Sequence, residues 1–170
     1  MIELFLEDTQ YPFNGIKEER VVARALVMNE QGLFALHRLA GTDTIGDRNY
    51  YETPGGGVDE GESIIDAVAR ECREEIGFDV EVIEEIAVVH DFYNVISRKN
   101  ENHYFLCKTK SNYIGTNFVS QGDTLIAETL FLPLDEVIRC YESQSDVMLS
   151  KIVKDRELPV WSHLKDLLNK

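Results

Sequence analysis

Positive charge is what this sequence has least of. Lys and Arg number 17 against 31 Asp and Glu, a formal net charge of −14. So acidic a chain repels nucleic-acid phosphate, and duplex nucleic acid is not an expected partner. Long apolar runs are missing too: none approaches the ~18 residues that a membrane span requires. The three cysteines, Cys72, Cys107 and Cys140, are odd in number and form no CxxC pair. They read as free thiols in a reducing compartment, not as a disulfide framework. The stretch Met1 to Asp8 has no basic n-region, so a signal peptide is not expected and the cytoplasm is the default location. Repeats and low-complexity linkers are absent. So is any evident Ser-His or Cys-His arrangement for covalent catalysis.

What is present is ordinary globular composition, 44% hydrophobic and 28% charged over 170 residues. This predicts a single domain over 1–170 with a core of its own. Residues 1–19 are mixed and polar, suited to an edge strand or arm. Strand-like runs cover Val21–Met28 and Leu33–Leu39, joined by the turn Asn29-Glu30-Gln31-Gly32. A polar loop is expected over 40–49, then a short strand Tyr50–Thr53 and a Gly-rich loop Pro54–Gly61. Ser63–Ile76 reads as a helix, with Ser63 as N-cap, Asp66 as its capping partner and Gly77 as C-cap. Further strands are expected at Val80–Val89, Tyr104–Thr109 and Thr129–Leu132. Helices are expected at Leu134–Tyr141 and Val160–Leu168. Together these give an α/β (α+β) fold, a mixed sheet with helices packed on it.

The helix 63–76 carries an electrostatic conflict. At ~100° per residue, Ile65, Val68, Ala69, Cys72 and Ile76 fall on one face, and Glu71, Glu74 and Glu75 on another. Carboxylates at this spacing repel, by roughly 3 kcal/mol per pair at ~6 Å and an effective dielectric of ~20. They also stand at the helix end where the dipole disfavours negative charge. A solvated acidic face with Arg70 and Arg73 as local partners is one account. A hard cation held by the glutamates is the other, because Mg²⁺ takes oxygen ligands and leaves positions for phosphate. Such a cation would also reconcile an acidic protein with an anionic substrate. The preceding Gly55-Gly56-Gly57 lets backbone approach a ligand closely.

In this unit, Gly56 to Phe78 resembles the Nudix box, G-x5-E-x7-R-E-U-x-E-E-x-G-U, where U is a bulky apolar residue. Gly56, Glu62, Arg70-Glu71, Glu74-Glu75 and Gly77-Phe78 fill its fixed positions over 23 residues. Cys72 stands where an aliphatic residue is usual. The flanks Tyr51-Glu52-Thr53-Pro54 and Leu130 to Glu136 resemble the family more loosely, which extends the likeness over roughly 20–140. The resemblance implies the Nudix fold, an α/β/α sandwich around a mixed sheet, with a C-terminal helical segment over about 134–170. It implies Mg²⁺- or Mn²⁺-dependent hydrolysis of a phosphoanhydride bond in a small nucleotide substrate. Glu71, Glu74 and Glu75 would bind the metal with the Gly56 carbonyl, with Glu71 and Glu74 as catalytic residues. Glu62 and Arg70 would form a structural ion pair. An acid outside the box could instead activate water.

Outside the box the signals are weaker. Glu128 stands where some relatives carry an extra ligand or base. Arg38 and Arg48 flank the loop entering the box and could pair with phosphate, or be surface residues. His37, His90, His103 and His163 have no ligand spacing and read as structural. Tyr93 lies near the place where a diadenosine-polyphosphate subgroup carries a tyrosine. The lack of proline over 90–97 argues against the ADP-ribose subgroup. Two other readings stay open: a silent ligand-sensing module of the same fold, and a scaffold in which Trp161–Leu168 serves as a dimer or partner helix.

Overall fold

The computed structural model describes residues 1–170. Strand alternation sets the layers. Along Glu18–Met28 (β2), Ala23, Ala25 and Val27 belong to one buried cluster and Leu26 to another, as period-two geometry requires. The remaining strands are Ile2–Phe5 (β1), Phe34–Thr42 (β3), Asp47–Glu52 (β4), Gly55–Gly57 (β5), Val80–Tyr93 (β6), Arg98–Thr109 (β7) and Ile126–Leu132 (β8). They form one sheet in the order β1-β6-β7-β2-β3-β4, with β5 on β2 and β8 on β3. The β1–β6 and β2–β7 pairs are parallel and the others antiparallel, so the sheet is mixed.

Helix Ile64–Glu71 (α1) covers one face, where Ala67 and Val68 pack with Ala23, Ala25 and Val27. Helices Leu134–Glu142 (α2) and Met148–Leu168 (α3) cover the other, in a cluster of 20 buried residues that includes Tyr141, Trp161 and Leu164. The α/β/α layering is the one expected. No helix is long and apolar enough to cross a membrane. All three cysteines are unpaired.

Several boundaries differ from expectation, each for a physical reason. The polar loop 40–49 is mostly a hairpin: β3 runs to Thr42 and β4 begins at Asp47. Asp43 closes its turn by accepting from the Ile45 and Gly46 N–H groups and from Arg48. β6 and β7 extend past their apolar runs because Asp91, Asn100 and Asn102 sit inside the strands, buried and bonded to one another. α3 starts at Met148, well before Val160, and runs through Pro159. Burial of Ile152, Val153, Arg156, Val160 and Trp161 on its inner side outweighs the cost of a proline. That burial also corrects the idea of a free partner helix, since Trp161 and Leu164 are fully buried.

The helix at 63–76 changes character midway. Ser63 caps it through the Asp66 N–H, as expected, and Gly77 closes it at φ +73°. Residues Cys72–Ile76 form a π turn, closed by Gly77 N–H on the Cys72 carbonyl. Ile65 and Ala69, expected on the buried face, are exposed, whereas Glu71 and Glu75 are buried. The wheel assumed that only apolar residues turn inward. Here the inner face includes two carboxylates, because polar partners wait for them on the sheet.

Candidate active site

The Gly-rich strand and the glutamate helix are built around each other. Gly55 has φ +145°, and a Cβ there would stand 2.1 Å from the Ala23 carbonyl oxygen, so only glycine lets β5 lie this close to β2. Its N–H donates to Glu75 Oε2 at 2.8 Å. His37 Nε2 lies 3.0 Å from the same oxygen, while its Nδ1 lies 2.9 Å from Thr129 Oγ1. The histidine on β3 therefore steers a buried glutamate on the helix. At the next residue, a Cβ on Gly56 would stand 2.4 Å from Glu71 Oε1. The glycine's bare edge is the seat of that carboxylate.

Arg70 binds the acids from the other side. Its Nε and Nη2 donate to the Glu62 carboxylate at 2.8 and 3.0 Å, and Nη2 also donates to the Gly57 carbonyl at 2.9 Å. Its Nη1 reaches Glu71 Oε1 at 2.6 Å and Glu74 Oε2 at 3.3 Å. The guanidinium thus stands between Glu71 and Glu74, and no three Asp, Glu, His or Cys side chains close round one point. Burial, then the charge of Glu75, pushes the Glu71 carboxyl up to about 7 against the pull of Arg70. Burial also raises Glu75, against the bonds from His37 and Gly55. Two buried carboxylates on one helix face, with a third beside them, form an all-oxygen donor set that suits a hard divalent cation. Glu71, Glu74 and Glu75 are the side chains that would hold such an ion.

These groups line a cavity of about 360 Å³ that is reached from β2, β3, β4, β5, β7, α1 and the 119–126 loop. Six arginines line it: Arg20, Arg24, Arg48, Arg70, Arg98 and Arg156. Beneath it lies a buried charge network. Arg156, 1% exposed, donates to Glu157, Glu52 and Tyr93 Oη at 2.9, 2.8 and 2.9 Å, and to Asp91 at 3.3 Å. Arg24 pairs with Glu52 at 3.0 Å and donates to the Thr53 carbonyl. Burial opposes ionisation of Glu52, but Arg24 and then Arg156 hold its carboxyl down at about 2. Glu157 also takes bonds from Thr53 and Tyr104.

The structure brings Gly56, Glu62, Arg70, Glu71, Glu74 and Glu75 together. Arg48 lines the cavity as well, pinned to Asp43 at 2.8 Å and to Tyr50. Arg38 and Glu128 do not line it: they pair with each other at 2.9 Å on the outer surface. Among acids outside the box, Asp123, 6% exposed, lines the same cavity and its charge acts on that of Glu75. Its position is fixed by the Val119 and Ser120 N–H groups. Sequence reading missed Asp123, whose signal is the local Ser120-to-Asp123 turn. It also missed Arg24, whose signal is a charge inside an apolar strand.

Comparisons with known proteins agree with this geometry. The plant protein Nudix hydrolase 5 of Arabidopsis thaliana is 27% identical over 120 residues, which covers 70% of this chain and 38% of the relative. The chain therefore spans well under half the length of that curated relative. A NUDIX hydrolase structure from Nitrosomonas europaea superposes with a TM-score of 0.65 at 16% identity, covering 86% of this chain and 88% of that one. The MutT protein of Methanosarcina mazei Go1 gives 0.63 at 18% identity, covering 94% and 100%. These two likenesses are of fold. The family model of the NUDIX domain matches residues 18–151, and with the box geometry described above the chain belongs to the NUDIX family.

Proposed function

We propose that this protein hydrolyses a phosphoanhydride bond in a small nucleotide-like molecule and depends on Mg²⁺ or Mn²⁺. The observation that carries this reading is the burial of Glu71 and Glu75 against Gly56 and Gly55 inside an arginine-lined cavity. A bound divalent ion would neutralise the diphosphate, lower the pKa of water and stabilise the leaving phosphate. Glu71, Glu74, Glu75 and the Gly56 carbonyl are the residues that would hold it.

The protein's own groups do the rest. His37 and the Gly55 N–H fix the Glu75 carboxylate through one oxygen and leave the other free to act. Asp123 lines the cavity with Glu75 and is the acid outside the helix that we assign to orient water. Arg70 offsets the charge of Glu71 and Glu74 and anchors the helix to Glu62 and Gly57. The cavity walls position an anionic substrate and exclude bulk water.

One observation favours a second reading, a ligand-binding module: Arg70 occupies the gap between Glu71 and Glu74. A panel of nucleoside triphosphates, nucleotide sugars, dinucleoside polyphosphates and ADP-ribose separates the two. The expected result is phosphate-ester product with Mg²⁺, abolished by EDTA and restored by the metal. Full turnover in excess EDTA after dialysis overturns the metal role. Tight binding of a panel member without turnover in either metal supports the module.

A further inference from the structure

The arginines around the cavity are not alike. Arg24, Arg48, Arg70, Arg98 and Arg156 each bond a carboxylate. Arg20 bonds none: the Glu18 and Glu71 charges act on it only at longer range. Its guanidinium lies on Gly57, so close that a Cβ there would stand 2.5 Å from Nε and Nη2. The parallel β2–β7 register puts Glu18 beside Arg98 and Arg20 beside Asn100. Arg20, Val22 and Arg24 alternate onto the same side of β2. Arg98 spends its Nε on exposed Glu18, leaving two terminal nitrogens unused. Arg24 adds a buried Nε, in a residue 7% exposed, that has no hydrogen-bond partner. Arg20 is itself exposed at the rim of the cavity, where partial desolvation, then Arg98 and Arg24, pull its guanidinium below its ordinary pKa.

All three guanidinium groups line the cavity; Glu52 and Glu18 offset the charge of Arg24 and Arg98, and Arg20 is left without an anion of its own. The planar fork of arginine selects phosphate or carboxylate. Gly57 is one residue beyond Gly56 on β5, a rise of ~3.3 Å, comparable to the step between neighbouring phosphoryl groups. We infer that Arg20 and Arg98, with Nε of Arg24, form a phosphate subsite next to the glutamate centre, which takes a phosphoryl group of the substrate beyond those at the centre. The substrate class is then one with three or more phosphoryl groups. The subsite itself stands without the hydrolase reading; its substrate assignment rests on that reading.

The test begins without metal. Binding of inorganic pyrophosphate to the whole chain is measured by calorimetry in EDTA at low salt, for wild type, Arg20→Gln, Arg98→Gln and Arg73→Gln. Arg73 is an exposed arginine paired with Asp79 outside the cavity. Arg20→Gln and Arg98→Gln should each weaken binding about tenfold, and Arg73→Gln should leave it unchanged. Equal affinity in all four, or equal losses in Arg20→Gln and Arg73→Gln, overturns the subsite. Thermal melts keep the comparison to folded protein. With Mg²⁺, Arg20→Gln should raise KM for a nucleoside triphosphate about tenfold with kcat within about twofold, and leave KM for a nucleotide sugar unchanged. If instead Arg20→Gln relieves inhibition by inorganic phosphate and leaves every KM unchanged, the subsite stands and its occupant is free phosphate. Arg20-dependent pyrophosphate binding in a protein that hydrolyses no anhydride overturns the hydrolase reading alone. Metal-dependent hydrolysis with Arg20-independent binding overturns the subsite alone.

Discussion

The three glycines of β5 should fail in three different ways when each is replaced by alanine. At Gly55 the new Cβ meets main chain, 2.1 Å from the Ala23 oxygen and 2.9 Å from the Arg24 Cα, at φ +145°. Backbone strain of ~1–3 kcal/mol adds to the loss of the β2–β5 pairing, so Gly55→Ala should cost more than ~3 kcal/mol. For a chain of this length that is a fall in Tm of ~6–12 °C or failure to fold. At Gly56 the backbone is not strained, but the Cβ lies 2.4 Å from Glu71 Oε1, about 1 Å inside ordinary contact. The carboxylate must move by about that much, and a displacement of ~1 Å at a catalytic group costs on the order of 10²-fold in rate. Stability should change by less than ~1 kcal/mol, because alanine also reduces the freedom of the unfolded chain. At Gly57 the nearest atoms to the Cβ belong to the Arg20 guanidinium, the far end of a flexible side chain, so the fold and kcat should survive while KM for a polyphosphate substrate rises. Circular dichroism melts and steady-state kinetics with Mg²⁺ on the three proteins check this. If Gly56→Ala keeps wild-type kcat, or loses activity only in step with a large drop in Tm, the close seat of Glu71 on Gly56 has no catalytic meaning.

Three further outcomes follow from buried charge. Arg156→Met removes the cation shared by Glu52, Asp91 and Glu157 and should destabilise by ~3–5 kcal/mol, read as a Tm drop of ~6–20 °C; a drop below ~2 °C refutes the network's role. For His103, burial opposes the charged form, but the bonds to Glu85 and Glu101 prevail and raise its pKa. Its contribution is then full below ~6.5 and fades as pH rises through the folded value. Accordingly His103→Gln should lower Tm at pH 5.5 and have little effect at pH 9, and a larger loss at pH 9 contradicts the sign. Glu75→Gln keeps an acceptor for His37 and the Gly55 N–H and removes the charge that Asp123 opposes. In EDTA it should melt with or slightly above wild type, by up to ~1 kcal/mol, yet lose most activity. Mg²⁺ at a hundredfold excess over Kd should stabilise wild type by ~2.7 kcal/mol and the mutant much less; equal shifts would place the metal elsewhere.

Much of this arrangement was legible in the sequence, and what escaped did so for identifiable reasons. The helix caps at Ser63 and Gly77 are local chemistry, written within three residues of where they act. The spacing of Gly56, Glu62, Arg70, Glu71, Glu74 and Glu75 is fixed by one strand, one loop and one helix, so it too is local. The partners that complete the site are not. His37 reaches Glu75 across 38 positions and Thr129 across 92. Arg156 reaches Glu52 across 104. Their meaning depends on which strands become neighbours, which periodicity does not specify. Polar residues inside strands were the other obstacle. Asp91, Asn100 and Asn102 are buried, so a search for apolar runs cuts β6 and β7 short and discards Asn100 and Asn102, which line the cavity. The same bias misplaced the inner face of the 63–76 helix, where two inward residues, Glu71 and Glu75, are glutamates.

The scarcity of positive charge that opens the sequence takes on a different sense once the arginines are placed. Six of the 17 basic residues line one cavity, and none of the six is lysine. Six acids line it too: Glu52, Asp59, Glu71, Glu74, Glu75 and Asp123. The cavity is therefore close to neutral inside a strongly acidic protein, and its charges differ in purpose by depth. At the floor, Arg24 and Arg156 hold Glu52, Asp91 and Glu157 in fixed positions, where loss of one partner strands the rest. At the helix, Arg70 bonds Glu62, Glu71 and Glu74 and offsets the repulsion between the last two. At the wall, Arg20 holds nothing belonging to the chain. Arg20 is exposed, so water solvates it and its charge stays open to an incoming anion. Leaving it unpaired beside Gly57 is intelligible if the missing partner arrives with the substrate.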